Sequence, residues 1–207
     1  MSTRTYDNPQ VGRPTAGRGS ALPLPDMRTF EELEAMVDGI RDAPTDAGVV
    51  VLIVRRPAVD QREVVDEARL DVAEGLVGDT WRVRGNRHTP DGSGDPAAQL
   101  TVMNARAAAA VAGDVSQWPL AGDQIYADFD ISTEHLPAGT RLAIGDAEIE
   151  VSKTPHTGCA KYSARFGKDA LRFVSTPEGR ALRLRGMNAR ITKSGTVRVG
   201  DPISIRS

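Results

Sequence analysis

Twice in its second half the chain repeats one short device, and nothing else in the sequence constrains the fold as tightly. Arg141-Leu142-Ala143-Ile144 leads through Gly145-Asp146 into the alternating Ala147-Glu148-Ile149-Glu150-Val151. Val197-Arg198-Val199 leads through Gly200-Asp201 into Pro202-Ile203-Ser204-Ile205-Arg206. Each copy follows a Gly-Thr pair, Gly139-Thr140 and Gly195-Thr196. A two-residue, glycine-containing connection between strand-prone runs is a hairpin signal. The echo is too short and too imperfect for a solenoid, so it predicts two similar hairpins in a small barrel or curled sheet.

Other segments agree with a mainly β chain carrying a few helices. Val49 to Val54 reads Val-Val-Val-Leu-Ile-Val, a buried strand by its β-branched content. Leu100 to Asn104 reads as a strand, and Ala105 to Ala112 as an alanine-rich helix stopped by Gly113. Asp26 to Gly39 reads as a helix with Thr29 as N-cap, Glu31 and Glu32 in its first turn, and Gly39 as its end. Gln61 to Leu70 fits strand and helix alike. Leu182 and Leu184 alternate with Arg183 and Arg185, which predicts a segment with one apolar and one cationic face. Residues 1–25, rich in Pro, Gly, Ser and Thr without periodicity, read as a flexible tail, 26–48 as an N-terminal helix and linker, and 49–207 as the folded domain. Only 4% of the 207 residues are aromatic, so the core must come from Val, Ile, Leu and Ala.

Composition narrows the setting. One cysteine excludes an internal disulfide framework and suits a reducing, cytoplasmic environment. The Val49–Val54 run is far too short to span a bilayer, and no apolar signal-peptide core precedes it. Between Val151 and Ser207 stand 12 Lys and Arg against 3 Asp and Glu; the 26 basic and 28 acidic residues of the whole chain leave 14 and 25 before that point. Two readings follow: halves that interleave and neutralise each other, or a positive basin that holds an anionic ligand. Nucleic acid is disfavoured, because the chain is mildly acidic and its basic segment lacks aromatic interleaving. Zinc is disfavoured too, since one Cys and three scattered His give no paired ligand spacing.

Cys159 stands in His156-Thr157-Gly158-Cys159-Ala160-Lys161, with Arg165 four residues further on. Gly158 lets the backbone bend ahead of the sulfur, and Ala160 to Phe166 reads as a short helix closed by Gly167. That puts the sulfur at a helix N-terminus among cations, where thiolate is favoured over thiol. A lone cysteine can equally be an inert core filler; the polar, basic neighbours here point to a working thiol.

Taken in order, several motifs resemble the MOSC domain, the C-terminal module of molybdenum cofactor sulfurases that also occurs as a stand-alone bacterial protein. They are Glu74-Gly75-Leu76-Val77-Gly78-Asp79, Gln99 to Asn104, Ala121-Gly122-Asp123-Gln124, His156 to Lys161 with Arg165-Phe166-Gly167, Leu184 to Arg190, and Gly195 to Asp201. Together they span about Val49 to Ile205. The resemblance implies a partly closed β-barrel, similar to the barrel domain of pyruvate kinase. It also implies that Cys159 is the position that carries sulfur as a persulfide, or ligates molybdenum as a thiolate when the molybdenum cofactor is bound. Some relatives bind that cofactor and reduce N-hydroxylated compounds with redox partners. Pyridoxal phosphate belongs to the fused desulfurase domain of longer relatives and is not expected here, so sulfur would come from a cysteine desulfurase or another donor.

On this reading Lys161, Arg165 and His156 supply charge beside an anionic persulfide. Arg183 and Arg185 would hold the pterin phosphate through forked hydrogen bonds, or else are solvated surface arginines. Asp79 and Asp123 each follow a glycine and suit turns or caps; as functional groups they would orient His156 or Lys161. His88 falls in a Gly-, Asn- and Pro-rich loop with the composition of a lid, but Thr80-Trp81 stand where many relatives place a histidine. His135 reads as surface structure. Two rivals remain: a non-catalytic barrel that binds an anion with Cys159 incidental, and a thiol redox sensor or peroxidase that borrows an external resolving thiol.

Overall fold

A computed structural model describes residues 26–86 and 89–206. Chain order is α1 (Phe30–Glu34), α2 (Val37–Arg41), β1 (Ala47–Arg55), β2 (Glu63–Val65), β3 (Glu67–Asp71), β4 (Gly75–Leu76), α3 (Trp81–Arg84), β5 (Leu100–Asn104), α4 (Ala105–Ala112), β6 (Ile125–Asp128), β7 (Arg141–Ile144), β8 (Ala147–Val151), α5 (Ala160–Ser175), α6 (Pro177–Ala181), β9 (Met187–Lys193), β10 (Gly195–Arg198) and β11 (Pro202–Ile205). Short 3-10 helices precede β5 (Pro96–Ala98) and β6 (Val115–Ala121).

Seven strands close into a barrel in the order β11-β7-β8-β9-β5-β6-β1, with β2 attached to the far end of β1. Closure comes from β1, long enough to pair β11 at Ala47–Val49, β6 at Val49–Ile53 and β2 at Ile53–Arg55. Every pair is antiparallel except β5 with β6, whose crossover is α4 and the second 3-10 helix. Asn104 starts that crossover by accepting from the Arg106 amide at 2.8 Å. Strand alternation slips at a β1–β6 irregularity between Val50 and Leu52. Val50 and Ile53 consequently face the barrel interior, while Leu52 and Val54 face the helices.

Two cores result. The interior is filled by Val, Ile, Leu and Ala with Phe129 and Met187, in keeping with the low aromatic content. The second core lies between the barrel and a helical layer and contains Phe30, Leu33, the α4 alanines, Tyr126, Tyr162, Phe166 and Phe173. A cleft opens beside this second core.

The first Gly-Asp device is the hairpin expected: β7 and β8 pair from Arg141↔Glu150 to Ile144↔Ala147. The second is not. β10 joins a separate sheet, β10-β3-β4, while β11 closes the barrel. The turn itself closes, Asp201 N donating to Arg198 O (3.0 Å), but the flanking strands part: Gly200 N donates to Val50 O (2.8 Å) and Val50 N to Asp201 O (2.9 Å), so β1 takes up the bonds beyond it. Gln61 to Leu70 resolves into β2 and β3. The first helix is shorter than expected: the Thr29–Glu32 capping box forms, but the helix breaks after Glu34 and Gly39 lies inside α2. Residues 1–25, read as a tail, and His88 lie outside the described residues. Among the described residues no helix is long and apolar enough to cross a membrane.

Candidate functional site

After β8 the chain runs through Ser152–Gly158 along the rim of a cleft of about 480 Å³ before entering α5. Cys159 is the N-cap residue of α5, in extended conformation (φ −131°, ψ 175°). Its carbonyl accepts from Ser163 N at 3.1 Å, which leaves the side chain out of the cap, and the thiol is exposed. Gly158 does not have a positive φ; a Cβ there would stand 2.4 Å from Leu171 Cδ1, so a larger residue would have to move the end of that side chain. Gly167 closes the first helix as expected, leaving helical backbone at φ 90° and ψ 167°, and a second helix follows directly and runs to Ser175.

The cleft is cationic by construction. Lys153, His156, Arg180, Arg183 and Arg185 line it, and among the described residues no Asp or Glu does. Arg183 and Arg185 come together as expected but not from a strand face: Leu182–Arg185 is a turn, and Arg183 sits at φ 48°. Their roles also differ. Arg183 donates through Nη1 to Leu136 O (2.8 Å) and Ile131 O (3.0 Å); burial pulls its pKa below the usual arginine value, against the pull of Asp130. Arg185 is buried, donates to Asp123 Oδ2 (2.5 Å) and Ala121 O (2.8 Å), and stacks over the Tyr162 ring at 4.9 Å.

Asp123 is the hub beneath this wall. Fully buried, it faces Arg185 on one oxygen and His156 Nδ1 on the other, the latter at 3.3 Å without an aligned hydrogen bond. Burial raises its pKa, but the charges of Arg185 and then His156 outweigh that and hold the carboxyl below the usual range. Gly186 makes the arrangement fit: at φ 99°, a Cβ there would lie 2.8 Å from Val102 O and 2.9 Å from Asp123 Oδ1. Burial likewise pushes the Tyr162 phenol up. Of the two aspartates read from Gly-Asp pairs, Asp123 does meet His156. Asp79 meets neither His156 nor Lys161; it is buried against Arg56 with Oδ2–Nε at 2.7 Å and Oδ1–Nη2 at 3.0 Å.

One turn gathers an unusual number of cations. The four successive carbonyls at the end of the second 3-10 helix each accept from a different arginine: Pro119 from Arg62 (3.2 Å), Leu120 from Arg165 (2.7 Å), Ala121 from Arg185 (2.8 Å) and Gly122 from Arg56 (3.0 Å). Helix ends leave carbonyls unpaired, and the guanidinium fork suits them. Lys161 and Arg165 extend this group on the α5 side, both 3.3 Å from Asp60 Oδ1.

Sequence reasoning missed Lys153, Arg180, Arg62, Arg56 and Tyr162. None stands in a spacing that distinguishes it from ordinary surface or core; only the carbonyls that collect the arginines do, and those carry no sequence signature. His135 is structural, edge-on to Phe129 at 5.4 Å. Among the described residues no group of three His, Cys, Asp or Glu could hold a metal ion.

Solved structures share the fold. The YuaD protein of Bacillus subtilis superposes with a TM-score of 0.59 at 14% identity, over 78% of this chain and 96% of its own. YiiM of Escherichia coli gives 0.51 at 18% identity, over 77% and 70%. No curated protein matches by sequence. The MOSC domain profile matches residues 89–204, more than half of the chain and all of the cleft wall from Thr133 to Asn188. With the closed barrel and the Cys159 segment inside that match, the chain belongs to the MOSC domain family.

Proposed function

We propose that this protein handles sulfur at Cys159, carrying it as a persulfide for an anionic cofactor or acceptor held in the cation-lined cleft. The observation that carries this reading is the exposed, uncapped sulfur directly after Gly158, where the cation-lined wall of the cleft ends. A carrier sulfur must be reachable from both sides of an exchange, and thiolate and persulfide are both anions that nearby cations stabilise. In loading, the Cys159 thiolate attacks the outer sulfur of a donor persulfide; a new S–S bond forms, the donor's S–S bond breaks, and the donor leaves as a thiolate. Release as hydrogen sulfide takes two electrons from a pair of thiols, which become a disulfide. His156, seated on Asp123, adds an imidazole to the same wall.

A second reading, favoured by the volume of the cleft, has the molybdenum cofactor resident there with Cys159 as its metal thiolate, in a reductase of N-hydroxylated compounds. The cations of the cleft suit that group's phosphate, while Cys159 follows the last rim residue, Gly158, and does not itself line the cleft. About 480 Å³ lies in the size range of small-cofactor sites. Lys153, Arg180 and Arg183 suit a pterin phosphate, and Arg185, whose buried Nε has no partner, lines the same wall. When bound, the cofactor would supply two-electron redox chemistry, and the protein would hold it by these cations and one thiolate.

The test is intact mass after anaerobic exposure to a cysteine desulfurase with cysteine, or to a small-molecule persulfide donor. The expected product gains one sulfur atom, loses it to dithiothreitol, and does not form with Cys159→Ser. Failure of the wild type to load from either donor contradicts the carrier reading. Molybdenum with a pterin, co-purifying and lost in Cys159→Ser, would select the second reading instead.

A further inference from the structure

We propose that Lys161, Arg165 and Arg62 form a separate binding site for a dianionic oxyanion of the phosphate type, a site that Asp60 fills as a tethered carboxylate. None of these four residues lines the cleft. Asp60 belongs to the loop between β1 and β2, and its Oδ1 lies 3.3 Å from both Lys161 Nζ and Arg165 Nη2. To reach them it adopts φ 58°, a left-handed conformation uncommon outside glycine. Arg62 stands beside Arg165, its Nε on Pro119 O next to the Leu120 O that Arg165 holds.

Charge balance identifies the ligand class. The Pro119–Gly122 turn gathers Arg62, Arg165, Arg185 and Arg56, and Lys161 joins them through Asp60. Asp123 neutralises Arg185, and Asp79 neutralises Arg56, both in buried pairs. What remains is Arg62, Arg165 and Lys161, three cations for which Asp60 is the one paired carboxylate among the described residues, and a dianion in its place would neutralise two charges where Asp60 neutralises one. The crowding is visible in Arg62, whose pKa is pulled down by burial and then by Arg165 and Arg56, with Asp60 only partly opposing them. The present occupant is also easy to displace. Asp60 and Lys161 are both largely exposed, and an exposed pair of this kind binds weakly. A tetrahedral dianion offers more acceptors to the same three donors and matches guanidinium geometry.

The inference stands on the cation cluster and not on the sulfur chemistry proposed for Cys159, so the two fail separately. The test is a titration of the full chain at constant ionic strength with inorganic phosphate and with glycerol 3-phosphate, read by backbone amide chemical shifts. Both ligands are expected to shift amides of residues 59–62 and 161–165, in wild type and in Cys159→Ser alike. Equal affinities identify a free oxyanion as the ligand, and tighter binding of the ester identifies a phosphate carried on a larger molecule. Asp60→Asn keeps a residue that tolerates the left-handed backbone and removes the competing charge; it should tighten binding about two- to fivefold. Lys161→Gln, at an exposed position, should weaken it by a similar factor. Unchanged affinity in Asp60→Asn, or shifts confined to the cleft around Lys153 and Arg180, would overturn the proposal.

Discussion

The Pro119–Gly122 turn separates two kinds of ion pair made from the same residue types. On one side Arg185–Asp123 and Arg56–Asp79 are buried, with side-chain exposures of 8% and 0% in the first pair and 11% and 0% in the second. On the other side Lys161–Asp60 is open, at 67% and 61%. Burial decides what each can do. A desolvated carboxylate costs so much when unpaired that its partner cannot leave, so the buried pairs fix the shape of the wall. The open pair is screened by water and salt and can exchange partners at little cost. Cys159, exposed at the head of the α5 segment that carries Lys161 and Arg165, sits on the open side of this division.

The largest effect expected of any change that breaks this contrast is on the buried side. Asp123→Ala should lower unfolding stability by about 3–5 kcal/mol, because it strands the Arg185 charge in the core; Asp79→Ala should do the same through Arg56. Denaturant titration reads both. Gly186→Ala should follow at about 1–3 kcal/mol, since alanine must hold φ 99° and its Cβ would press on Val102 O and Asp123. Acid sharpens the point. The folded pKa of Asp123 lies below its unfolded value of about 3.9, so the stability it contributes is complete above that value and is lost as pH falls through the folded pKa. Wild type should therefore lose stability more steeply than Asp123→Asn below about pH 4, as thermal melts across that range would show. The smallest effect belongs to the open side: Asp60→Asn and Lys161→Gln should change stability by no more than about 0.5 kcal/mol. If Asp60→Asn unfolds the protein as badly as Asp123→Ala, the contrast fails.

Local pattern and distant geometry were unequally legible in the sequence. β1, β5, α4 and the β7–β8 hairpin could be read because β-branching, alternation and caps are properties of neighbouring residues. The second Gly-Asp device could not, because its strands pair not with each other but with β3 and β1, more than 100 positions away in the sequence. The same limit governs the site. His156, Cys159, Lys161 and Arg165 were found as a motif on one segment. The alternation of Leu182 to Arg185 suggested a strand, whereas the carbonyls of Ile131 and Leu136 and the carboxylate of Asp123 shape that stretch as a turn. Arg62 and Arg56 gave no signal, since an arginine bound to a distant carbonyl looks like any surface arginine in a linear sequence.

Cys159 is an accessible sulfur at the end of a cation-lined cleft wall, and the sulfur-carrier proposal requires those cations to act on it. The most direct test compares its alkylation rates with anionic iodoacetate and neutral iodoacetamide, using glutathione as the unstructured reference. The account predicts a rate ratio shifted severalfold toward the anion relative to glutathione. The shift should shrink as salt shortens the Debye length and fall again in Lys153→Gln with Lys161→Gln. A ratio equal to that of glutathione, or a thiol that reacts with neither reagent in the folded protein, would contradict it.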